Sequence, residues 1–264
     1  MMSRVAIVTG GSSGIGRCTA RELARRGWTV YELSRRDEPL EGVAHRTADL
    51  TDEESVRRAI REIVRDQGRV DLLVNNAGAG ISGAIEFTGV PEAQRLFDLN
   101  VFGAARVNRA VIPLLRAQGS GRILHVSSVA AAAPLPFQAY YSASKAALTS
   151  YSLALANELR PFGVEVCAVQ PGDIRSGFTA ARQKLHEGDA AYDGRISRSV
   201  ARMERDEQTG MPPERIARRL ADLAEAKRLA PLVTTGALYR LAALLLRLLP
   251  PRPAQWLLYR LYGR

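Results

Sequence analysis

Short apolar runs alternate with longer amphipathic segments along the chain. Val5–Val8, Trp28–Leu33, Leu72–Val74, Arg122–Val126 and Val164–Val169 read as strands, and Ile15–Arg26, Glu53–Gln67, Glu92–Gln118 and Ser142–Phe162 read as helices between them. Gly27 and Gly68 stand where two helices stop, and Thr51-Asp52-Glu53-Glu54 has the form of a capped helix start. The strands are too apolar to leave one face wet, so helices must cover both sides of a parallel sheet. The pattern predicts a doubly wound α/β fold.

After Val169 the periodicity fades. Residues 173–212 are rich in Arg, Glu, Asp, Gly and Ala and read as a surface excursion or lid. Pro212-Pro213-Glu214 then opens a helix over Arg215–Leu229, with Ile216, Leu220 and Leu223 at helical spacing. Further on, Leu238, Leu241, Leu244, Leu245 and Leu248 recur at helical spacing, Pro250-Pro251 interrupt, and Trp256, Leu257, Leu258, Leu261 and Tyr262 follow. The chain divides into a main domain, 1–230, and a helical C-terminal extension, 231–264.

Composition narrows the class. A chain of 264 residues with 46% hydrophobic and 24% charged positions is not disordered, and two cysteines, Cys18 and Cys167, do not make a disulfide scaffold or a metal framework. The three histidines, His45, His125 and His186, fall on unrelated elements, so no metal site is expected. Met-Met-Ser-Arg runs straight into the first strand without the form of a secretion signal, and uncharged stretches of the extension such as Leu241–Leu246 are too short to span a bilayer. A cytoplasmic location is the expectation. The net charge is +10, and half of it comes from Arg240, Arg247, Arg252, Arg260 and Arg264, in an extension with no acidic residue. No nucleic-acid recognition motif accompanies that charge. The extension reads equally as an interfacial amphipathic helix making peripheral membrane contact through 237–264, and as a cap on the core or on a partner subunit.

Chemistry enters at Thr9-Gly10-Gly11-Ser12-Ser13-Gly14-Ile15-Gly16, which follows the first strand and opens the first helix. Glycines allow the tight turn and the close approach of backbone to a pyrophosphate, and the helix start supplies free N–H groups. The spacing departs from Gly-x-Gly-x-x-Gly and resembles the loop of the short-chain dehydrogenase/reductase family. Asp49-Leu50, Asn75-Asn76-Ala77-Gly78, Asn100, Ser128, Tyr141-x-x-x-Lys145 and Pro171-Gly172 agree with that family in order and spacing, over about residues 4–178. The resemblance implies a Rossmann-type sheet, a nicotinamide dinucleotide and a homodimer or homotetramer. By matching positions it implies cofactor contacts from Gly10, Ser12, Ser13, Gly14, Ile15, Gly16, Ser34, Arg35, Arg36, Asp49, Leu50, Asn76, Ala77, Gly78, Tyr141, Lys145, Pro171, Gly172, Ile174 and Ser176.

Beyond the second strand, Ser34 stands where an NAD-selecting acid would bind a ribose hydroxyl, and Arg35-Arg36 offer planar forks matched to a 2′-phosphate, so NADP(H) is expected. Glu32 lies deeper on the same strand face and reads as a structural or loop-bonded acid. Tyr141 and Lys145 are spaced four apart and share a helix face, where an ammonium favours ionisation of a phenol whose ordinary pKa is about 10. Ser128 is placed to polarise a substrate oxygen, and the resemblance assigns Asn100 to a proton relay beside Lys145. Ser127 is the competing serine, and Tyr140 reads as packing. The expected reaction is hydride transfer between a secondary alcohol and a ketone or aldehyde, with Tyr141 as acid or base. Ser128, Tyr141, Pro134 and Phe137 are the candidate substrate contacts. By family position the resemblance implies a pocket from segments 80–87, 130–137 and the lid; these offer no cluster for binding a carboxylate or phosphate, which favours a lipophilic small molecule, steroid-like or retinoid-like as in the branch that Gly83–Glu86 and Phe162–Val164 resemble. Acyl-chain, sphingoid and polyketide ketones, and a non-catalytic NADPH sensor, are the alternatives.

Overall fold

A computed structural model describes residues 3–264. The chain runs β1 (Val5–Thr9), α1 (Gly14–Arg25), β2 (Thr29–Ser34), β3 (Val43–Thr47), α2 (Glu53–Gln67), β4 (Leu72–Asn75), β5 (Ile81–Ser82), α3 (Val90–Phe97), α4 (Ala104–Gln118) and β6 (Gly121–Val126). It continues α5 (Ala139–Leu159), β7 (Val164–Gln170), α6 (Phe178–Ala181), β8 (Gln183–Lys184), α7 (Arg195–Gln208), α8 (Pro213–Glu225), β9 (Leu232–Thr234), α9 (Ala237–Leu248) and α10 (Pro251–Tyr262). Seven strands form a parallel sheet in the order β3-β2-β1-β4-β6-β7-β9. The order reverses direction between β1 and β4, the switch point at whose carboxyl edge such sheets bind ligands.

Alternation along the strands explains the two layers. Val5 and Ile7 on β1, with Leu73 and Ile123, pack against Val56, Ile60 and Ile63 of α2, Val107 and Leu115 of α4, and Leu155 of α5. Ala6 and Val8, with Val74, Leu124 and Val169, face the opposite layer, where Leu23 of α1 meets Ile216 and Leu220 of α8. All of these side chains are buried, so the central strands carry no wet face. Asp52 caps α2 through a bond from the Glu54 amide at 2.9 Å, and Gly68 ends it in the left-handed conformation.

Four expectations change. The segment 92–118 is not one helix: a π-helical turn, Asp98–Gly103, separates α3 from α4 and contains the buried Asn100. Such turns are rare and concentrate at functional sites. The boundary at 231 falls just before β9, which pairs with β7, so the sheet extends into the proposed extension and the helical part starts at Ala237. The helix expected over Arg215–Leu229 spans Pro213–Glu225. The 173–212 segment holds a helix, α7, which buries Ile196, Ser199, Val200 and Met203 at helical spacing. That periodicity is present in the sequence but is masked by the surrounding charge.

Candidate active site

The glycine loop turns between β1 and α1 at Gly10, where φ is +67° and a Cβ would lie 2.9 Å from Ala77 Cα. Asn76 braces it from β4, its amide nitrogen donating to the carbonyls of Thr9 at 3.0 Å and Gly10 at 3.3 Å. The Thr9 hydroxyl in turn accepts from the amides of Asn76 and Ala77. The start of α1 has no side-chain cap and no acid in its first turn, in contrast to α2. Its amides therefore remain available to an anion. A Cβ on Gly14 would meet nothing nearer than Ser176 Cβ at 3.8 Å, so the loop leaves open space where a pyrophosphate belongs. These residues fit a dinucleotide.

One cavity of about 610 Å³ runs from this loop to the C-terminal helices. Of the expected cofactor contacts, Gly10, Ser12, Ser13, Gly14, Ile15, Ser34, Arg35, Arg36, Asp49, Leu50, Asn76, Ala77, Gly78, Pro171, Gly172, Ile174 and Ser176 line it, as do Tyr141 and Lys145. Gly16 does not: it packs against the loop, where a Cβ would lie 2.3 Å from the Gly10 carbonyl oxygen. Its smallness lets α1 approach the loop. Arg35 and Arg36 are exposed at the rim and pair with no carboxylate among the described residues. Glu32 lies beneath Gly11, is 2% exposed, and is bonded to His45 Nδ1 and the Ser34 hydroxyl. It is a buried structural acid. Asp49 accepts from the amide and hydroxyl of Thr51, contacts that hold its carboxyl below the usual range.

At the reacting end, Tyr141 and Lys145 project from α5 beside Ser128 at the end of β6. Ser128 Oγ accepts from the Ala130 amide at 3.1 Å, which leaves its proton for an oxygen placed next to Tyr141. Burial pushes the Tyr141 phenol up to about 12, with the Ser128 hydroxyl opposing, and burial brings the Lys145 ammonium down to about 8. Lys145 Nζ donates to the Val126 carbonyl at 2.9 Å and sits 5.9 Å from the centre of the Tyr141 ring. Ser127 is occupied otherwise, bonded to the Lys145 carbonyl and to Thr149. Asn100 does not reach the cavity wall. It clamps Ala79 through both its amide and its carbonyl and donates to Ser144 at 3.0 Å. Its Oδ1 and Lys145 Nζ both lie against Gly78, 3.1 Å and 3.5 Å from where a Cβ would be.

Two candidate substrate contacts are corrected. Pro134 is exposed, and Phe137 turns away from the cavity to stack edge-on against Tyr192 at 5.5 Å, with its backbone at a φ of +58°. Their neighbours Ala133, Leu135 and Gln138 supply the wall instead. The expected lid supplies Phe178 of α6 and Met203 and Glu207 of α7, and sequence reasoning missed Tyr239, Ala242, Ala243, Leu245, Leu246, Leu257, Leu258, Leu261 and Tyr262 of the extension. Two side-chain hydrogen bonds tie α9 and α10 down, Tyr239 Oη to Asp173 at 2.7 Å and Tyr262 Oη to Asp206 at 2.9 Å. Gly172 makes the first of them sterically feasible, because a Cβ there would overlap the Tyr239 ring. The histidines are also placed: His125 is buried between Asn108 and Ser152, burial pushes it down to about 3, and His186 bonds Ser197. No cluster able to hold a metal occurs among the described residues.

The sequence pattern of the short chain dehydrogenase family matches residues 4–187. The chain is 37% identical over 230 residues to a 3-ketodihydrosphingosine reductase of Bacteroides thetaiotaomicron, covering 86% of each chain. A crystal structure of a short-chain dehydrogenase from Streptomyces avermitilis superposes with a TM-score of 0.83 at 31% identity, covering 90% of each chain. A 3-ketoacyl-(acyl-carrier-protein) reductase from Brucella melitensis, solved with NADH, gives a TM-score of 0.75 at 26% identity, covering 89% of this chain and 98% of that one. With the glycine loop, the braced Asn76 and the Ser128, Tyr141 and Lys145 grouping at one cleft, these likenesses make the chain a member of the short-chain dehydrogenase/reductase family of oxidoreductases.

Proposed function

We propose that the protein reduces the ketone of a long-chain lipophilic molecule with NADPH. The observation that carries this reading is the continuity of the cavity: it passes from Ser128 and Tyr141 into walls of Ala242, Ala243, Leu246, Leu257, Leu258 and Leu261. Burial of apolar chain there contributes about 0.8 kcal/mol per CH₂. The 37% identity to a reductase of a long-chain ketone supports an acyl-chain or sphingoid substrate over a steroid or retinoid. Arg35 and Arg36 support NADPH, because two exposed guanidinium groups stand where a 2′-phosphate would emerge and Ser34 puts no carboxylate beside them.

A bound nicotinamide dinucleotide supplies the hydride. The chain's residues handle the oxygen. Ser128 donates to it, and Tyr141, held protonated at neutral pH by burial, delivers a proton as negative charge develops. The Lys145 ammonium then stabilises the phenolate left on Tyr141. Asn100 is a positioning residue that keeps the Ala79 backbone and α5 in register. Assembly into a homodimer or homotetramer, a peripheral membrane site and a cytoplasmic location belong to the same reading. Exposed Phe102 and Phe162 provide apolar surface for subunit contact. The deciding measurement is initial rates of NADPH and NADH oxidation over a panel of long-chain 3-ketones, steroids and retinal. Higher kcat/KM with NADPH and a long-chain ketone is expected, and turnover confined to steroids or to NADH overturns the proposal.

A further inference from the structure

The extension has two apolar faces, and the cavity accounts for only one. Tyr239, Ala243 and Leu246 of α9 are half-buried and face the cavity, whereas Leu238, Leu241 and Leu248 are 74%, 54% and 72% exposed. On α10, Leu257, Leu258 and Leu261 line the cavity while Trp256 points outward, 59% exposed. Among the described residues nothing covers this outer row. An exposed leucine row of this extent marks an interaction surface.

Charge says what kind. Residues 231–264 carry five arginines and no acidic residue. Arg240 and Arg247 are seven residues apart, flanking the outer leucine row of α9, and the Arg260 guanidinium lies 5.3 Å from the centre of the Trp256 ring. Arginine beside tryptophan and leucine suits the boundary between phosphate headgroups and acyl chains. Among the described residues no helix is long and apolar enough to cross a membrane, so contact would be from one side. A second copy of the chain would bring the same five positive charges against themselves.

The cavity opens in the same surface. Leu245, Leu257 and Leu261 line it and are also 49%, 40% and 42% exposed. The mouth is therefore set in the apolar patch.

We propose that the outer face of α9 and α10 rests on an anionic phospholipid bilayer and that the substrate passes between bilayer and cavity at Leu245, Leu257 and Leu261. The route, though not the docking, rests on the long-chain ketone reading above. Sedimentation of the full chain with vesicles of phosphatidylcholine, alone or mixed with phosphatidylglycerol, tests the docking. Binding to the mixed vesicles, weakened by salt, is expected, with at least about tenfold loss in two variants. One replaces Leu238, Leu241, Leu248 and Trp256 with Gln; the other replaces Arg240, Arg247 and Arg252 with Gln. Wild type remaining in the supernatant, or a dimer lost in the leucine variant without vesicle binding, overturns docking.

For the route, both variants should keep the wild-type rate on a short water-soluble ketone and lose at least about fivefold on a long-chain ketone presented in mixed vesicles. Equal loss on both substrates, or none on either, overturns the route. Absence of turnover of a long-chain ketone in detergent micelles removes the substrate reading and leaves the sedimentation result standing.

Discussion

The two ends of the cleft are built differently. At the cofactor end, the lining comes from short segments after β1, β2, β3 and β4, and much of it is backbone and small side chains held by the sheet. At the substrate end, the wall is assembled from α6, α7, α9 and α10, which are separated in sequence and pinned by Tyr239 to Asp173 and Tyr262 to Asp206. Rigid backbone recognises a cofactor shared by many enzymes, and packed side chains select what meets it.

The largest effect is expected where the ends meet. Tyr141→Phe should lower kcat by about a thousandfold while cofactor affinity, read by fluorescence titration, stays within about twofold. Retained turnover would mean that another group delivers the proton. At the cofactor end, Arg35→Ala with Arg36→Ala should raise KM for NADPH about ten- to a hundredfold and leave KM for NADH unchanged, the loss expected for hydrogen bonds to a charged group. Equal change with both cofactors would remove the 2′-phosphate from the role of those arginines.

The pH profile separates the two titrating groups. Below pH 8 both Tyr141, raised to about 12, and Lys145, lowered to about 8, carry their protons. Lys145 loses its charge first as pH rises, so kcat/KM for reduction should fall on an alkaline limb near pH 8, by up to about tenfold per unit. A flat profile to pH 10 would detach the Lys145 charge from catalysis. The smallest effect is expected at the substrate end. Tyr239→Phe removes one hydrogen bond, worth about 1 kcal/mol, and should raise KM for a long-chain ketone several-fold with little change for a short one. An equal rise for both would place Asp173 and Tyr239 in the reacting centre and blur the contrast between the ends.

Much of the cofactor end was legible because its chemistry lies on consecutive residues. The turn at Gly10 and the four-residue spacing of Tyr141 and Lys145 follow from local backbone geometry, whereas the Asn76 brace reaches back across 67 positions to Thr9 and depends on the fold. Even so, Gly16 was read as a contact when its place is packing, a distinction made only by the proximity of the Gly10 carbonyl. The partners of Asn100, Ala79 and Ser144, were not legible, since a π-helical turn differs from an α-helix by a hydrogen-bond shift that side-chain periodicity does not encode. Pro134 and Phe137 failed for another reason: a loop has no periodicity, and the positive φ of Phe137 turns its ring toward Tyr192.

The sequence by itself determined the doubly wound sheet and the dinucleotide loop, because alternating burial and glycine spacing are local consequences of residue type. It also determined that the extension is apolar and basic. Only the tertiary structure decided that β9 joins the sheet, that the extension closes over the cleft, and which of its leucines face inward. Those outcomes depend on hydrogen bonds and contacts between residues far apart in sequence, as with Tyr239 and Asp173, whose spacing carries no signal of its own.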